Sequence, residues 1–398
     1  MNVLILDMVH GGEILAEEYL KKGCAVDCVD VYGIAKQDTM DCLDRMGASV
    51  HRSVPSGHYD LLLMPVHCPD KFLNGVTYGE RKTFHKAVGE LSDGRSRVEV
   101  TGVKGKTSCC YLLAGILALD GRTVFLHTSR GQGPWNGGKH TIEKKMSIAP
   151  PSLLRLPGGY DTVIAEVSLG GSGRADLTIL TNLAEDYGIA AGTGKASDAK
   201  ASVFSEGKNI VSESEIGLWS KYRGDLIGYG GRVSVIGKPE IGKPLQIAIE
   251  YNGRHELELP GKYLHLQYIE TIEAVLEACF EMDIPTEQVI DGLKTFEGVP
   301  GRGELRHSDM GWEIIDRNPG ISHMSVNKML DTLGRMGLLT ETLMILDPAD
   351  RKICEKTDPE RIKRMTEEKG AEFRLAGDGN EQSAGRYITV RLIKEGYQ

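Results

Sequence analysis

The sequence lacks any apolar run near the ~18 residues that a membrane-spanning helix requires, so no helical membrane span is expected. Aromatic residues are scarce, at 6% of the chain. They do not interleave with basic residues, which removes the stacking surface that single-stranded nucleic acid needs. The formal net charge of −9 leaves no basic footprint for a nucleic-acid partner. Cysteine is present eight times but never as C-x-x-C, and no Cys/His quartet has zinc-finger spacing. The thiols are therefore expected to be reduced, as in the cytoplasm. The opening MNVLILDMVHGG is apolar for only a few residues and has no basic start, so it reads as a first strand and not as a secretory leader. Internal repeats and low-complexity tracts are missing as well.

What is there begins with length. A chain of 398 residues exceeds one ordinary core, and two or three domains are expected. Three blocks emerge. Residues 1–95 alternate strand and helix: an apolar run Val3–Leu6 ending at Asp7, a helical segment from Ile14 to Lys22, a strand Ala25–Val31, an apolar run Leu61–Pro65, and a helix-like YGERKTFHKAVGEL. This alternation predicts a parallel, Rossmann-like sheet, although HGGE does not supply the dinucleotide fingerprint. Residues 96–304 alternate strands at Val124–His127, Thr162–Val167 and Leu177–Thr181 with helices. Here TSRGQGPWNGGKH is rich in glycine and suggests a mobile loop. LQIAIEYNGRHELELP reads as a hairpin about Asn252-Gly253, and FEGVPGRGELR as a Pro/Gly hinge. Residues 305–398 form a small α/β block with strands at Trp312–Asp316, Thr342–Asp347 and near Tyr387–Leu392.

The chemistry concentrates in VEVTGVKGKTSCCYLLAGIL. After a strand, Gly102, Val103, Lys104 and Gly105 form a loop whose amides can converge on phosphate oxygens, with the dipole of the next helix behind them. Lys106 is placed to neutralise β- and γ-phosphates, and the Thr107 hydroxyl to ligate Mg²⁺, with Ser108 following. The general phosphate-loop pattern wants glycine where Val100 stands. The bland alternative is a glycine turn with an exposed lysine, and Cys109-Cys110 read as packing.

The form T-G-x-x-G-K-T-S resembles the loop of the Mur ligase family. Further matches follow in family order: Glu166 in VIAEVSLGG, Asn182 in TNLAEDYG, Lys200 in DAKASVF, Arg302 in FEGVPGRGE, and Asp316 in IIDRNPG. Two departures stand out. Tyr187 replaces a family histidine, and Tyr263, Leu264 and Gln267 occupy the G-x-H-N-x-x-N region, where Gln267 substitutes for the second asparagine. The resemblance implies an α/β, three-domain Mur ligase architecture: a Rossmann-like N-terminal substrate domain, a P-loop ATP-binding central domain and a small C-terminal α/β domain. It implies ATP and Mg²⁺ as cofactors, with Thr107, Glu166 and a carbamylated Lys200 as metal ligands. Lys106, Glu166 and Lys200 would be the catalytic set, and Gly102–Ser108, Asn182, Gln267, Arg302 and Asp316 would hold the nucleotide.

The reaction so implied is attack of a carboxylate on the γ-phosphate, giving an acyl phosphate that a second nucleophile displaces. The segments LDMVHGGEILAE, VDVYG, MPVHCPD, TFHKAV and, at 345–356, ILDPADRKICEK resemble a Mur-like group acting on a nickel tetrapyrrole. That implies closure of a carbocyclic ring by an internal carbon nucleophile, with nickel present only as part of the substrate. His10, His67 and His85 then become candidates for orienting the substrate's carboxylates or sitting over its metal, His127 for lining the cleft, and Arg130 and Arg155 for pairing with the carboxylates; structural roles stand beside these for each histidine. Two other readings stand beside this one: an amide-forming Mur ligase acting on a cell-wall precursor, and a non-catalytic nucleotide switch. Neither nucleic acid nor a membrane is expected as a partner.

Overall fold

The computed structural model describes every residue except 95, 184–185, 319–320, 348–357, 378–386 and 395–398. Pro319, Gly320, Cys354 and most of the 345–356 stretch thus lie outside the described residues. The chain divides into two compact units, Met1–Gly102 with Arg122–Gly228, and Val103–Gly121 with Tyr229–Gln398.

In the first unit, strands β1 (Asn2–Leu6), β2 (Ala25–Val29), β3 (Ser49–His51), β4 (Gly57–Met64) and β5 (Val76–Thr83) form a sheet in the order β3-β2-β1-β4-β5. Every pairing is parallel, so the sheet is doubly wound, as the alternation predicts. β1 is buried on both faces because its apolar residues alternate between two cores. Val3 and Ile5 join Leu63, Phe84 and Val88, whereas Leu4 and Leu6 join Leu62 and Met64. Helices α1 (Gly12–Lys21), α2 (Gln37–Arg45) and α3 (Phe84–Leu91) make up the rest of this fold.

One element differs from the sequence reading. YGERKTFHKAVGEL is not one helix: its first six residues belong to β5, and α3 starts only at Phe84. Parallel pairing with β4 holds Tyr78–Thr83 extended. The Thr83 hydroxyl then accepts the Lys86 amide at 3.2 Å and caps the helix.

The chain continues through β6 (Arg97–Thr101), α4 (Lys106–Leu119), β7 (Val124–Thr128), β8 (Gly131–Asn136), β9 (Lys139–His140), β10 (Thr162–Glu166) and β11 (Leu177–Leu180). A small hairpin of β12 (Gly188–Ile189) and β13 (Gly194–Lys195) precedes α5 (Ala196–Lys200), β14 (Lys208–Ser212), α6 (Ile216–Trp219) and β15 (Leu226–Tyr229). The larger sheet has the order β15-β14-β11-β6-β10-β7-β8-β9, which puts β6 between parallel β10 and β11. The expected mobile glycine loop is instead ordered: β8 pairs antiparallel with β7, and β9 with β8. Its glycines serve close approach, since a Cβ on Gly133 would sit 1.9 Å from the Thr141 carbonyl oxygen.

The second unit holds α4 against α7 (Ile269–Glu281) and α8 (Thr286–Thr295), after a three-stranded antiparallel sheet of β16 (Val233–Val235), β17 (Leu245–Glu250) and β18 (Arg254–Leu259). The β17–β18 hairpin turns at Asn252 and Gly253, both with positive φ (49° and 123°). A five-stranded sheet closes the chain: β19 (Arg302–Ser308), β20 (Gly311–Asn318), β21 (Thr342–Asp347), β22 (Glu372–Leu375) and β23 (Ile388–Lys394), ordered β19-β20-β23-β21-β22 with helices α9 (His323–Met336) and α10 (Pro359–Glu368). No helix among the described residues is long and apolar enough to cross a membrane, and the described cysteines are free thiols.

Candidate active site

In the first unit, β6 delivers the start of the phosphate loop. Gly102 has φ 132°, and a Cβ there would meet Thr181 Oγ1 at 2.1 Å, so glycine is a packing requirement at this point. Thr181 donates to the Thr101 carbonyl at 3.2 Å, and the Gly170 amide donates to Thr101 Oγ1 at 3.2 Å. Lys200, on α5, is almost wholly buried, and its Nζ donates to the Gly102 carbonyl at 3.0 Å. The structure therefore joins Lys200 to the loop directly.

Glu166 is the last residue of β10, beside Val100 of β6, and is buried with Oε2 accepting the Ser129 amide at 3.0 Å. His127 lies close by; burial pushes its imidazole down to about 4, against the opposing pull of the Glu166 charge. Beneath them is a network that the sequence reading missed. Arg97 Nε meets Glu99 Oε1 at 2.7 Å, and Glu99 Oε2 accepts the Ser172 amide at 2.7 Å. These contacts tie the strand before the loop to the turn after Glu166. Asn182 is half-buried at the end of β11, next to Leu183, whose amide is held by the Glu215 carboxylate. Tyr187, at the family histidine's position, is exposed, while neighbouring Asp186 accepts the Ser197 amide and hydroxyl at 2.8 and 2.9 Å.

The second unit carries the rest. Val103, Lys104, Gly105, Lys106 and Ser108 are half-buried, and Thr107 is buried in the first turn of α4. Gly105 caps that helix with φ 86°. Cys109 and Cys110 are fully buried, consistent with packing. Arg302 faces Asp316 across the β19–β20 ladder. Its Nε is buried with no hydrogen-bond partner among the described residues, a donor left for an acceptor that those residues do not supply. Tyr268, also missed from sequence, donates to the Arg302 carbonyl at 2.7 Å and accepts the Val299 amide at 3.1 Å. Gln267 Nε2 reaches Met329 Sδ at 3.1 Å, and Tyr263 and Leu264 are buried in the core.

The remaining candidates separate. His85 is buried beside Gly170, and burial lowers it to about 4. His10 and His67 converge on Asp7. Arg155 is already paired with Glu17 and Glu18, so it is not a free partner for substrate carboxylates; Arg130 is half-buried. Asp7 was legible as a carboxylate at a strand's C-terminal end, a common ligand position in α/β sheets.

Solved structures align along nearly the whole chain. UDP-N-acetylmuramate-alanine ligase MurC from Thermotoga maritima is 14% identical, covering 100% of this chain and 96% of its own, with TM-score 0.56. The MurF ligase of the same organism, in complex with ADP, is 14% identical over 93% and 91%, with TM-score 0.58. The fold is that of the Mur ligases. Among curated sequences, this Mur-like chain is 28% identical to a coenzyme F(430) synthetase of Methanosarcina acetivorans, covering 100% of this chain and 94% of that protein. A coenzyme F(430) synthetase of Methanocaldococcus jannaschii is 26% identical over 82% of this chain and 78% of its own. No protein-family model matches the chain. Fold and relatives agree on an ATP-dependent, Mur-like ligase resembling the coenzyme F(430) synthetases.

Proposed function

We propose that this protein activates a side-chain carboxylate of a nickel tetrapyrrole as an acyl phosphate and closes a carbocyclic ring on it, releasing ADP and phosphate in the cytoplasm. The product would be coenzyme F(430). The observation that carries this reading is the full-length similarity to the Methanosarcina acetivorans synthetase, supported by the retained loop residues Gly102, Gly105, Lys106 and Thr107.

Roles follow from chemistry and the family resemblance. Lys106 would neutralise charge on the transferring phosphoryl group, and loop amides at the α4 N-terminus would bind phosphate oxygens. Arg302 has a buried Nε that needs an acceptor, which suits a nucleotide, with Asp316 and Gln267 beside it as further polar contacts. Thr107 and Glu166 fit a Mg²⁺ ion, being a hydroxyl and a buried carboxylate, the oxygen donors this hard cation selects. When bound, Mg²⁺ supplies charge neutralisation on the phosphates. Lys200 is placed to hold the loop through the Gly102 carbonyl; as a carbamate it would join the metal ligands.

The fold favours a second reading, an amide-forming ligase like its structural neighbours. Phosphate release from ATP separates the two. It should require a nickel tetrapyrrole acid and no amine; dependence on an added amino acid would replace the ring-closing reading with the amide one. ATP binding without substrate-dependent turnover would instead indicate the nucleotide switch.

A further inference from the structure

The doubly wound N-terminal sheet reverses direction between β1 and β4, and ligands of such sheets sit beyond the strand C-termini at this crevice. Asp7 follows β1 and His67 follows β4, and both lie there. Asp7 is fully buried. Its Oδ1 accepts the Val9 and His10 amides at 2.8 and 3.2 Å, which aims Oδ2 at two imidazoles. His10 Nδ1 is 2.6 Å from Oδ2, and His67 Nε2 is 3.3 Å from it. One donor atom from each of the three residues lies within 4.8 Å of the others. Glu13, in the first turn of α1, adds a buried Oε2 with no hydrogen-bond partner among the described residues. Tyr32 stacks on His67 (ring centroids 6.4 Å, interplanar angle 18°), and Phe72 meets Tyr32 edge-on.

We propose that Asp7, His10 and His67 bind a divalent first-row transition-metal ion, through all three donors when it is presented free and through one imidazole when it sits at the centre of a macrocycle whose own nitrogens fill the other positions. Two imidazoles and one carboxylate select Ni²⁺, Co²⁺ or Zn²⁺ over Mg²⁺ or Ca²⁺, which prefer all-oxygen sites. Ion binding replaces the Asp7–His10 hydrogen bond by coordination, with only small side-chain shifts. The site does not depend on the proposed reaction, because ion binding is read without ATP.

The test uses full-length, chelator-treated protein, titrated with Co²⁺ and Ni²⁺ by visible absorption and calorimetry. One equivalent should bind, unaffected by excess Mg²⁺, with affinity falling at least about tenfold in H10Q and H67Q. D7N should behave alike, and the half-exposed His67 keeps the test valid if D7N misfolds. A water-soluble nickel tetrapyrrole distinguishes the source. A visible-band shift lost in H10Q or in H67Q assigns the ion to a macrocycle, while saturation by aqueous Ni²⁺ without that shift assigns it to a free ion. The proposal is overturned if neither probe binds, if the variants bind as tightly as the parent, or if Mg²⁺ competes equally.

Discussion

At the scale of single residues, the phosphate loop depends on a few atoms. Lys106→Ala removes the cation proposed to neutralise the transferring phosphate while leaving α4 a good helix former. Substrate-dependent phosphate release should fall about 10²-fold or more, with an unchanged circular dichroism spectrum; full product formation would refute the role proposed for Lys106. Gly102→Ala places a Cβ 2.1 Å from Thr181 Oγ1 at φ 132°, so nucleotide binding, followed with a fluorescent ATP analogue, should be lost. Glu99→Ala strands the buried Arg97 guanidinium and frees the Ser172 amide. Breaking a buried pair on one side costs about 3–5 kcal/mol, which a urea titration at neutral pH would read as a lower midpoint. Local spacing singles out Lys106 and Gly102 as candidates. It did not announce the Glu99–Ser172 contact, whose partners stand 73 residues apart.

At the scale of elements, α4 is held by shape. Gly292 of α8 lies against Ile116, and a Cβ there would come within 2.3 Å of Ile116 Cγ1. Gly292→Val should therefore destabilise the α4–α8 contact by about 1–3 kcal/mol, seen as a lower melting temperature, with partial recovery when Ile116→Ala is added. Two element-level readings changed for a common reason. Tyr78–Thr83 looked helical and residues 128–140 looked like a mobile loop, yet each is drawn into a ladder by a pairing that local pattern does not reveal: with β4 for the first and with β7 for the second. Pairing with a neighbour outweighs propensities worth tenths of a kcal/mol per residue.

At the scale of the whole molecule, buried histidines set an acid limit. His85 and His127 are lowered from 6.5 to about 4, chiefly by burial. Between pH 6.5 and 4 the unfolded chain binds protons that the folded one refuses. Stability is thus full above pH 6.5 and falls as pH drops, at a limiting slope of about 1.4 kcal/mol per pH unit for each histidine. Urea midpoints measured from pH 7.5 to 4.5 should follow this trend, and His127→Gln should flatten it; a pH-independent midpoint would contradict the burial of both rings. The sequence by itself determined the α/β class, the doubly wound first sheet, the hairpin at Asn252-Gly253 and the glycine turn between β6 and α4, because each is written in period, turn chemistry or spacing within a short stretch. Only the tertiary structure decided that Lys200 grips the Gly102 carbonyl, that Arg155 is committed to Glu17 and Glu18, and that His67 joins Asp7. Those contacts join residues brought together by sheet order and burial, and neither can be read from neighbours along the chain.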